Sequence, residues 1–370
     1  MAKWTEYELG ELLSYEQPTP YIVESTDYSD SYDTPVLTAG KSFIIGYTNE
    51  TSGIYDKLPV IIFDDFTTST QYVNFPFKVK SSAMKILTAN TELVIPKFIF
   101  YRMQIIEFDH STHKRYWIQQ YSKIKVKIPP IPEQERIVAK IEELFSELDN
   151  GVETLKKTKQ QLAVYRQAVL KESFGEIKEY IPLGKITVSR LGKMLDKEKN
   201  TGILQPYLRN INVRWFSFDL SDLLEMRIEP EENEKYSVTK GDLIICEGGE
   251  PGRCAIWEQD ETIFYQKALH RVRFTDDSNP KFYMYYFWFA AQTGKLNPFF
   301  TGMGIKHLTG QSLVKVPVPT ARKEEQDLIV QEIESRLSVC DSIEKTVDTA
   351  LQQADAMRQS ILKKAFEGEL

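Results

Sequence analysis

The chain has 370 residues, a net charge of −7, and 42% hydrophobic and 12% aromatic residues. That length accommodates two globular domains, each able to bury its own core, and the composition excludes a disordered chain. No run approaches the roughly 18 apolar residues of a membrane span. The start MAKWTEYELGELL lacks the basic and apolar regions of a signal peptide, and Cys246, Cys254 and Cys340 form no CxxC pair. A soluble, cytoplasmic protein with free thiols is expected.

The first globular part, residues 1–131, carries β-rich runs at Lys41–Tyr47, Val60–Phe63, Phe75–Val79 and Gln104–Phe108. Its charge is segregated: residues 1–77 hold 12 acidic and 3 basic side chains, residues 78–127 hold 3 acidic and 10 basic. This leaves open either two ordinary solvated faces or a basic groove on a protein that otherwise repels phosphate. Residues 132–176 then read as one long helix. Pro132 suits a first helical position, and apolar residues step by three or four through Ile137, Ile141, Leu148, Leu155 and Leu162. That spacing is closer to a coiled-coil seam than to the broad stripe of a core helix. Gly151 interrupts it at a cost of about 1 kcal/mol.

The second globular part, residues 177–320, sets an acidic stretch, Asp219–Glu234, against basic segments at Arg190–Arg214 and Lys267–Arg273. Strands are expected at Gly241–Cys246, Cys254–Trp257 and His270–Phe274, with a turn at Glu247–Gly252. The aromatic run Lys281–Gln292 fits a buried helix better than a base-stacking platform. A second long helix fills residues 321–370, its seam running through Ile329, Ile333, Cys340, Val347, Ala354 and Ile361.

The two long helices are copies of one segment. A shift of 192 places Glu133-Gln134 on Glu325-Gln326, Ile141 on Ile333, Asp149 on Asp341 and Phe174 on Phe366. A weaker echo, Leu9-Gly10 against Leu183-Gly184, opens each half. The fold expected is therefore α+β: two mixed α/β globular parts separated by two long helices that form an antiparallel coiled coil, a pseudo-two-fold internal repeat. At ~1.5 Å per residue each helix spans roughly 60 Å.

Signatures of chemistry are weak. Asn297-Pro298-Phe299-Phe300 resembles an amino-methyltransferase tetrapeptide but has Phe at its third position and no glycine-rich adenosylmethionine loop before it. There is no GxxxxGK[ST] loop, Gly302-x-Gly304 alone is too short to hold a nucleotide, and His110 with His113 lacks further metal ligands nearby. Asp64-Asp65 lacks a nuclease-like lysine at motif spacing. No metal and no catalytic residue is expected.

The paired segments VKIPPIPEQERIVAKIEELFSELD and VKVPVPTARKEEQDLIVQEI, each a proline-rich exit, an EQ pair and a long helix, resemble the specificity subunit of type I restriction-modification systems. The tails AVLKESF and SILKKAFEGEL, and LTAGKSFIIGY, YLRNINV and GIKHL within the globular parts, extend the resemblance over essentially the whole chain. The second copy departs by the extra residues TARK before its EQ pair. The resemblance implies two target-recognition domains, each reading half of a bipartite, asymmetric site in double-stranded DNA. It also implies helices that set the spacing and dock two methyltransferase (modification) subunits, with restriction subunits in the full complex. S-adenosylmethionine, ATP and Mg2+ would be used by those partners, and this chain would be non-catalytic. A methylation-only or other restriction system, or a duplicated coiled-coil protein adaptor, remains as an alternative.

Arg and Lys favour guanine, Asn and Gln favour adenine, and Ser or Thr serves either. On that chemistry the candidate DNA contacts in the first domain are Lys41, Ser42, Tyr47, Thr48, Asn49, Thr67, Thr68, Ser69, Thr70 and Gln71. In the second they are Lys193, Arg209, Asn210, Asn212, Arg214, Arg253, Gln266, Lys267, His270, Lys306 and His307. Each of them is a base-contact, phosphate-contact or turn residue, which the sequence does not distinguish.

Overall fold

The structure, a computed structural model, describes residues 4–38, 42–109, 115–196 and 200–370. Among the described residues four helices of eight residues or more organise it: α1 (Pro96–Met103), α2 (Ile131–Gly175), α3 (Pro280–Gln292) and α4 (Lys323–Glu367). The chain divides into two units, Met1–Lys156 with Asp348–Leu370, and Lys157–Val347. Each unit therefore holds one globular domain, half of α2 and half of α4. Among the described residues no helix is long and apolar enough to cross a membrane.

Within each unit the start of one long helix packs on the end of the other. In the first, Ile137, Val138, Ile141 and Phe145 share a core with Leu362 and Ala365. In the second, Val169, Leu170 and Phe174 share one with Val330, Ile333 and Leu337. Ion pairs fix the antiparallel direction: Asp149 with Arg358 in the first unit, and Arg166 with Asp341 at 2.7 Å in the second. These two pairs are related by the same shift of 192 as the helix sequences. The repeat thus writes each salt bridge twice, once in either direction.

The seam follows the period with local changes. Leu162, Cys340, Val347 and Ala354 are buried, while Leu148 and Leu155 stay half-buried because a two-helix seam has no third layer above it. Val330 and Leu362 replace Ile329 and Ile361 as the buried positions where each helix meets a domain. There the contact surface widens from a seam to a stripe, and the neighbouring helical position turns inward. Gly151 does not break α2.

The two domains share one topology, which their sequences conceal. The first has an antiparallel sheet in the order Leu13–Glu16, Met84–Ala89, Val60–Asp64, Thr70–Val73; the second has Thr187–Leu191, Leu269–Phe274, Leu243–Cys246, Cys254–Ile256 in the same order. Beside it lies a second sheet whose central strand pairs antiparallel on one side and parallel on the other. That strand is Thr34–Leu37 in the first domain and Ile203–Leu208 in the second. The second domain adds the short strand Ser237–Val238. A two-stranded ribbon, Thr5–Glu8 with Lys125–Ile128 or Tyr180–Pro182 with Pro317–Pro319, closes each domain just before its long helix.

One expected strand is absent. Gln104–Phe108 continues from α1 in tight turns, with Gln104, Ile105 and Ile106 N–H groups donating three residues back to Tyr101, Arg102 and Met103 carbonyls. Ile105, Ile106 and Phe108 pack against the domain core from there, so the apolar run reflects burial without a ladder. The aromatic run in α3 is core, as its spacing implies, and Asn297–Phe299 forms a single 3₁₀ turn.

The EQ pair has a physical role in both copies. Gln134 is buried; its Oε1 accepts from the Ile95 N–H (2.8 Å) and its Nε2 donates to the Pro129 carbonyl (2.9 Å). Gln326 accepts from the Asn279 N–H (2.7 Å) and donates to the Ala321 carbonyl (2.8 Å). Each amide thereby satisfies a backbone group just before α1 or α3 and another just before its own helix. Lys97 with Glu142, and Lys281 with Glu334 at 2.8 Å, clamp the same junctions from outside. Replacing Gln134 or Gln326 by Leu leaves those backbone groups buried without partners, and each substitution should cost about 1–3 kcal/mol. Unfolding followed by circular dichroism tests this; a midpoint equal to that of the parent protein would refute the clamp.

Candidate nucleic-acid interface

In the second domain four loops meet at one end of the sheets: Arg209–Arg214, Glu247–Arg253, Gln266–Ala268 and Thr301–His307. Backbone hydrogen bonds tie them in series. The Gln266 N–H donates to the Leu208 carbonyl (3.1 Å), Glu247 to Ala268 (2.9 Å) and Leu308 to Glu247 (2.7 Å). A Cβ at residue 248 would sit 3.0 Å from His307 Nδ1, so Gly248 permits the close approach of two of these loops.

Side chains complete the frame. Asn210 Nδ2 donates to the Gly248 carbonyl, while Arg253 Nη2 donates to Asn210 Oδ1 (3.0 Å) and to its carbonyl (3.1 Å). The Glu250 carboxylate accepts from Arg253 Nη1 (2.9 Å) and Trp215 Nε1 (2.7 Å). Arg209 donates to the Asp222 carboxylate and carbonyl, both at 2.7 Å. Asn212 is buried, accepting from the Arg209 N–H (2.9 Å) and donating to the Asp219 carbonyl (2.9 Å).

This geometry removes three candidates from the contact surface. Lys193 is buried and bridges Glu229 and Glu232, Asn212 is a turn residue, and His270 is wholly buried with its Nε2 at 2.9 Å from the Leu308 carbonyl. Burial pushes the Lys193 ammonium down, but its bonds to Glu229 and Glu232 outweigh this and hold it above the ordinary lysine value. The same ammonium, with the Thr201 N–H, holds Glu229 down at about 2. Gln266 is half-buried. Arg209, Asn210 and Arg253 are half-buried and bonded within the frame. Arg214 is exposed with a loose 3.5 Å pair to Asp219. Lys267, Lys306 and His307 are exposed, and neither lysine makes an ion pair among the described residues.

In the first domain the equivalent end carries Thr38, Ser42 and Phe43, the Asp64–Thr70 turn and residues 80–83. Lys80 N–H donates to the Leu37 carbonyl (2.9 Å), Asp65 to Ala83 (3.3 Å) and Tyr116 to Asp65 (3.0 Å), the same series as in the second domain. Asp64 Oδ1 accepts from the Phe66 and Thr67 N–H groups and shapes the turn that presents Thr67, Thr68 and Ser69. Ser42 is exposed near this end, as is Gln71 beyond the turn; Thr70 is buried. Tyr47, Thr48 and Asn49 lie at the opposite end of their hairpin, where Thr48 is buried and accepts from the Glu50 N–H. They do not join the loop cluster. Lys41, like His110 and His113, lies outside the described residues. Sequence reasoning missed Lys80, Ser81 and Ser82, whose position is visible only through the shared topology.

The charge segregation along the chain is offset in part by pairs in space. Lys78 pairs with Glu50 at 2.7 Å, Lys85 with Asp65 at 3.3 Å in the core, and Lys125 with Glu6 at 3.6 Å. In the second domain the acidic stretch Asp219–Glu234 supplies the partners of Lys193, Arg209 and Arg214. Lys80, Lys267 and Lys306 are exposed on loops and Arg190 on the strand Thr187–Leu191, none of them in an ion pair among the described residues. Among the described residues, no group of three metal-ligating side chains occurs.

The sequence matches the family described as Type I restriction modification DNA specificity domain over residues 1–163 and 184–353. The chain belongs to this family. It is 45% identical over 190 residues to the Type I restriction enzyme EcoR124I/EcoR124II specificity subunit of Escherichia coli, a match covering 48% of this chain and 47% of that protein. It is 27% identical over 271 residues to the EcoKI specificity subunit of Escherichia coli strain K12, covering 68% and 58%. The chain thus spans about half the length of the curated relatives it matches. Its fold resembles a chain of a type I R-M system (TM-score 0.74, 16% identity, all of both chains). It also resembles the HsdS subunit from Thermoanaerobacter tengcongensis (TM-score 0.60, 17% identity, 99% of this chain and 97% of that one).

The frame sets three expectations. Burial lowers the His270 pKa below its ordinary 6.5, so the unfolded chain takes up the proton first and stability falls as pH drops below 6.5 toward the folded value. His270→Gln should flatten this acid limb, and melting curves between pH 5 and 8 would show whether it does. Asn212→Ala should cost about 1–3 kcal/mol of stability with binding preference intact. Lys267→Ala or Lys306→Ala should leave stability unchanged and lower the slope of log affinity against log salt by about one unit on duplex DNA. Equal slopes for parent and variants would take these lysines off the DNA.

Proposed function

We propose that this chain is the DNA-recognition subunit of a type I restriction-modification enzyme, each domain reading one half of a bipartite, asymmetric site. The observation that carries this reading is the repeat of one scaffold with two different loop sets, Arg209–Arg214 and Glu247–Arg253 having no sequence counterpart at Ser42 and Asp64–Thr70. One scaffold with two unlike polar ends suits two unlike half-sites. The Arg253–Asn210 and Arg209–Asp222 pairs serve as the frame, and Lys267, Lys306, His307 and Arg214 meet the duplex, with Ser42, Thr67, Thr68, Ser69, Lys80, Ser81 and Ser82 in the first domain.

The long helices set the separation of the half-sites and dock two modification subunits, which bring S-adenosylmethionine. Restriction subunits supply ATP- and Mg2+-dependent steps. The chain itself is non-catalytic and acts in the cytoplasm on the host's DNA. Four residues inserted near Thr158 in α2, matched by four near Thr349 in α4, add about one helical turn, roughly 6 Å. The two half-sites should move apart by one or two base pairs with their sequences unchanged, as read by methylation mapping in a host carrying the complete system. Altered half-site sequences at the original spacing would refute the strut.

A further inference from the structure

The Thr301–His307 hairpin ends in side chains that the fold leaves in water. Its base is closed by two backbone hydrogen bonds, Thr301 N–H to the His307 carbonyl (2.8 Å) and His307 N–H to the Thr301 carbonyl (2.9 Å). Gly302, at φ +97°, makes the turn; a Cβ there would lie 2.3 Å from the Ile305 carbonyl. Leu308, fully buried, anchors the base, its N–H on the Glu247 carbonyl and its own carbonyl on His270. On this stem Met303 and Ile305 have relative exposures of 110% and 73%. Two large apolar side chains held in water forgo the stabilisation that burial gives.

We propose that Met303 and Ile305 form an apolar wedge that enters a base step of the duplex in the half-site read by the second domain. The proposal rests on the DNA-recognition reading above. Charge identifies the occupant. Lys306 follows Ile305 directly, and Lys267 lies on an adjoining loop, neither in an ion pair among the described residues. The facing carboxylate of Glu250 is held by Arg253 and Trp215, and Glu247 is half-buried with its backbone engaged at the hairpin base. Apolar side chains followed by an exposed cation, Lys306, whose Nζ lies over the Phe300 ring, suit a base step flanked by phosphate, where the cost of unstacking is offset by new contacts. A protein partner would instead favour a wider apolar patch with charge depleted at its centre.

The test uses the full chain and duplexes carrying the mapped site, with a single mismatch walked through the second half-site. A mismatch lowers the cost of opening a step, so the parent should bind about ten-fold more tightly with the mismatch at the step the wedge enters. Met303→Ala/Ile305→Ala should lose that gain while keeping half-site preference and salt slope, and Lys306→Ala should keep the gain with a lower slope. A parent that gains at no position, or a double variant that keeps the gain, overturns the wedge. A double variant that binds DNA as the parent does but assembles poorly with modification subunits makes the tip a protein contact and overturns it equally. A parent with no half-site preference at all refutes the recognition reading, and the wedge with it.

Discussion

The buried amide at the start of each long helix is the constraint on which the rest depends. A domain that feeds straight into a helix through proline-rich chain has few backbone donors to spare. Gln134 and Gln326 supply one to the exit carbonyl and join three segments at once: the helix that carries them, the proline-rich exit before it, and the residue just ahead of α1 or α3. Both hydrogen-bonding ends of each amide are used, so rotating or replacing it breaks two bonds together. A loose junction would let each domain swing on its helix. The amide, with the Lys97–Glu142 and Lys281–Glu334 pairs outside it, holds domain and helix end as one body within each unit.

The second organising fact is electrostatic. Opposite charges are separated along the sequence and reunited by the fold. The acidic stretch Asp219–Glu234 runs through the strand Leu224–Ile228, which pairs with Ile203–Leu208, and so it meets the basic residues around Lys193 and Arg209. The pairing of these strands seats several cations beside their own carboxylates, while Lys267 and Lys306 stay exposed on loops with no ion pair among the described residues.

How much of this was legible in the sequence depended on whether the signal was periodic or topological. The long helices were legible because Ile141, Leu162, Ile333, Cys340 and Val347 recur at seam spacing, and the family could be named from the duplicated EQ segment. Burial was legible in α3, where twelve consecutive positions hold mostly aromatics. The sheet was harder. Gln104–Phe108 has a strand's composition, yet its backbone turns after α1, a choice made by its neighbours and not by its own residues. The candidate site was half legible. Polar residues in turns such as Asn212 serve the turn as readily as a ligand, and only the bonds to Asp219 and Arg209 decide. His270 and Lys193 look like surface groups in one dimension because their partners, Leu308 and Glu229, are tens of residues away. Lys80–Ser82 went unseen for the converse reason: nothing marks that stretch except its equivalence to Gln266–Ala268.

That equivalence explains how two domains diverge so far while keeping one fold. The contacts that seat the loops are main-chain bonds: Leu37 with Lys80, Asp65 with Ala83 and Tyr116 with Asp65 in one domain, Leu208 with Gln266, Glu247 with Ala268 and Leu308 with Glu247 in the other. A backbone N–H donates equally well whatever side chain it carries, so substitution in these loops leaves their seating intact. Side-chain ties are confined to each domain's own frame, such as Asn210–Arg253 in the second and Asp64 with its turn in the first. A surface built this way can exchange every outward-facing residue without renegotiating the core. The two domains can then present different chemistry from the same strand framework.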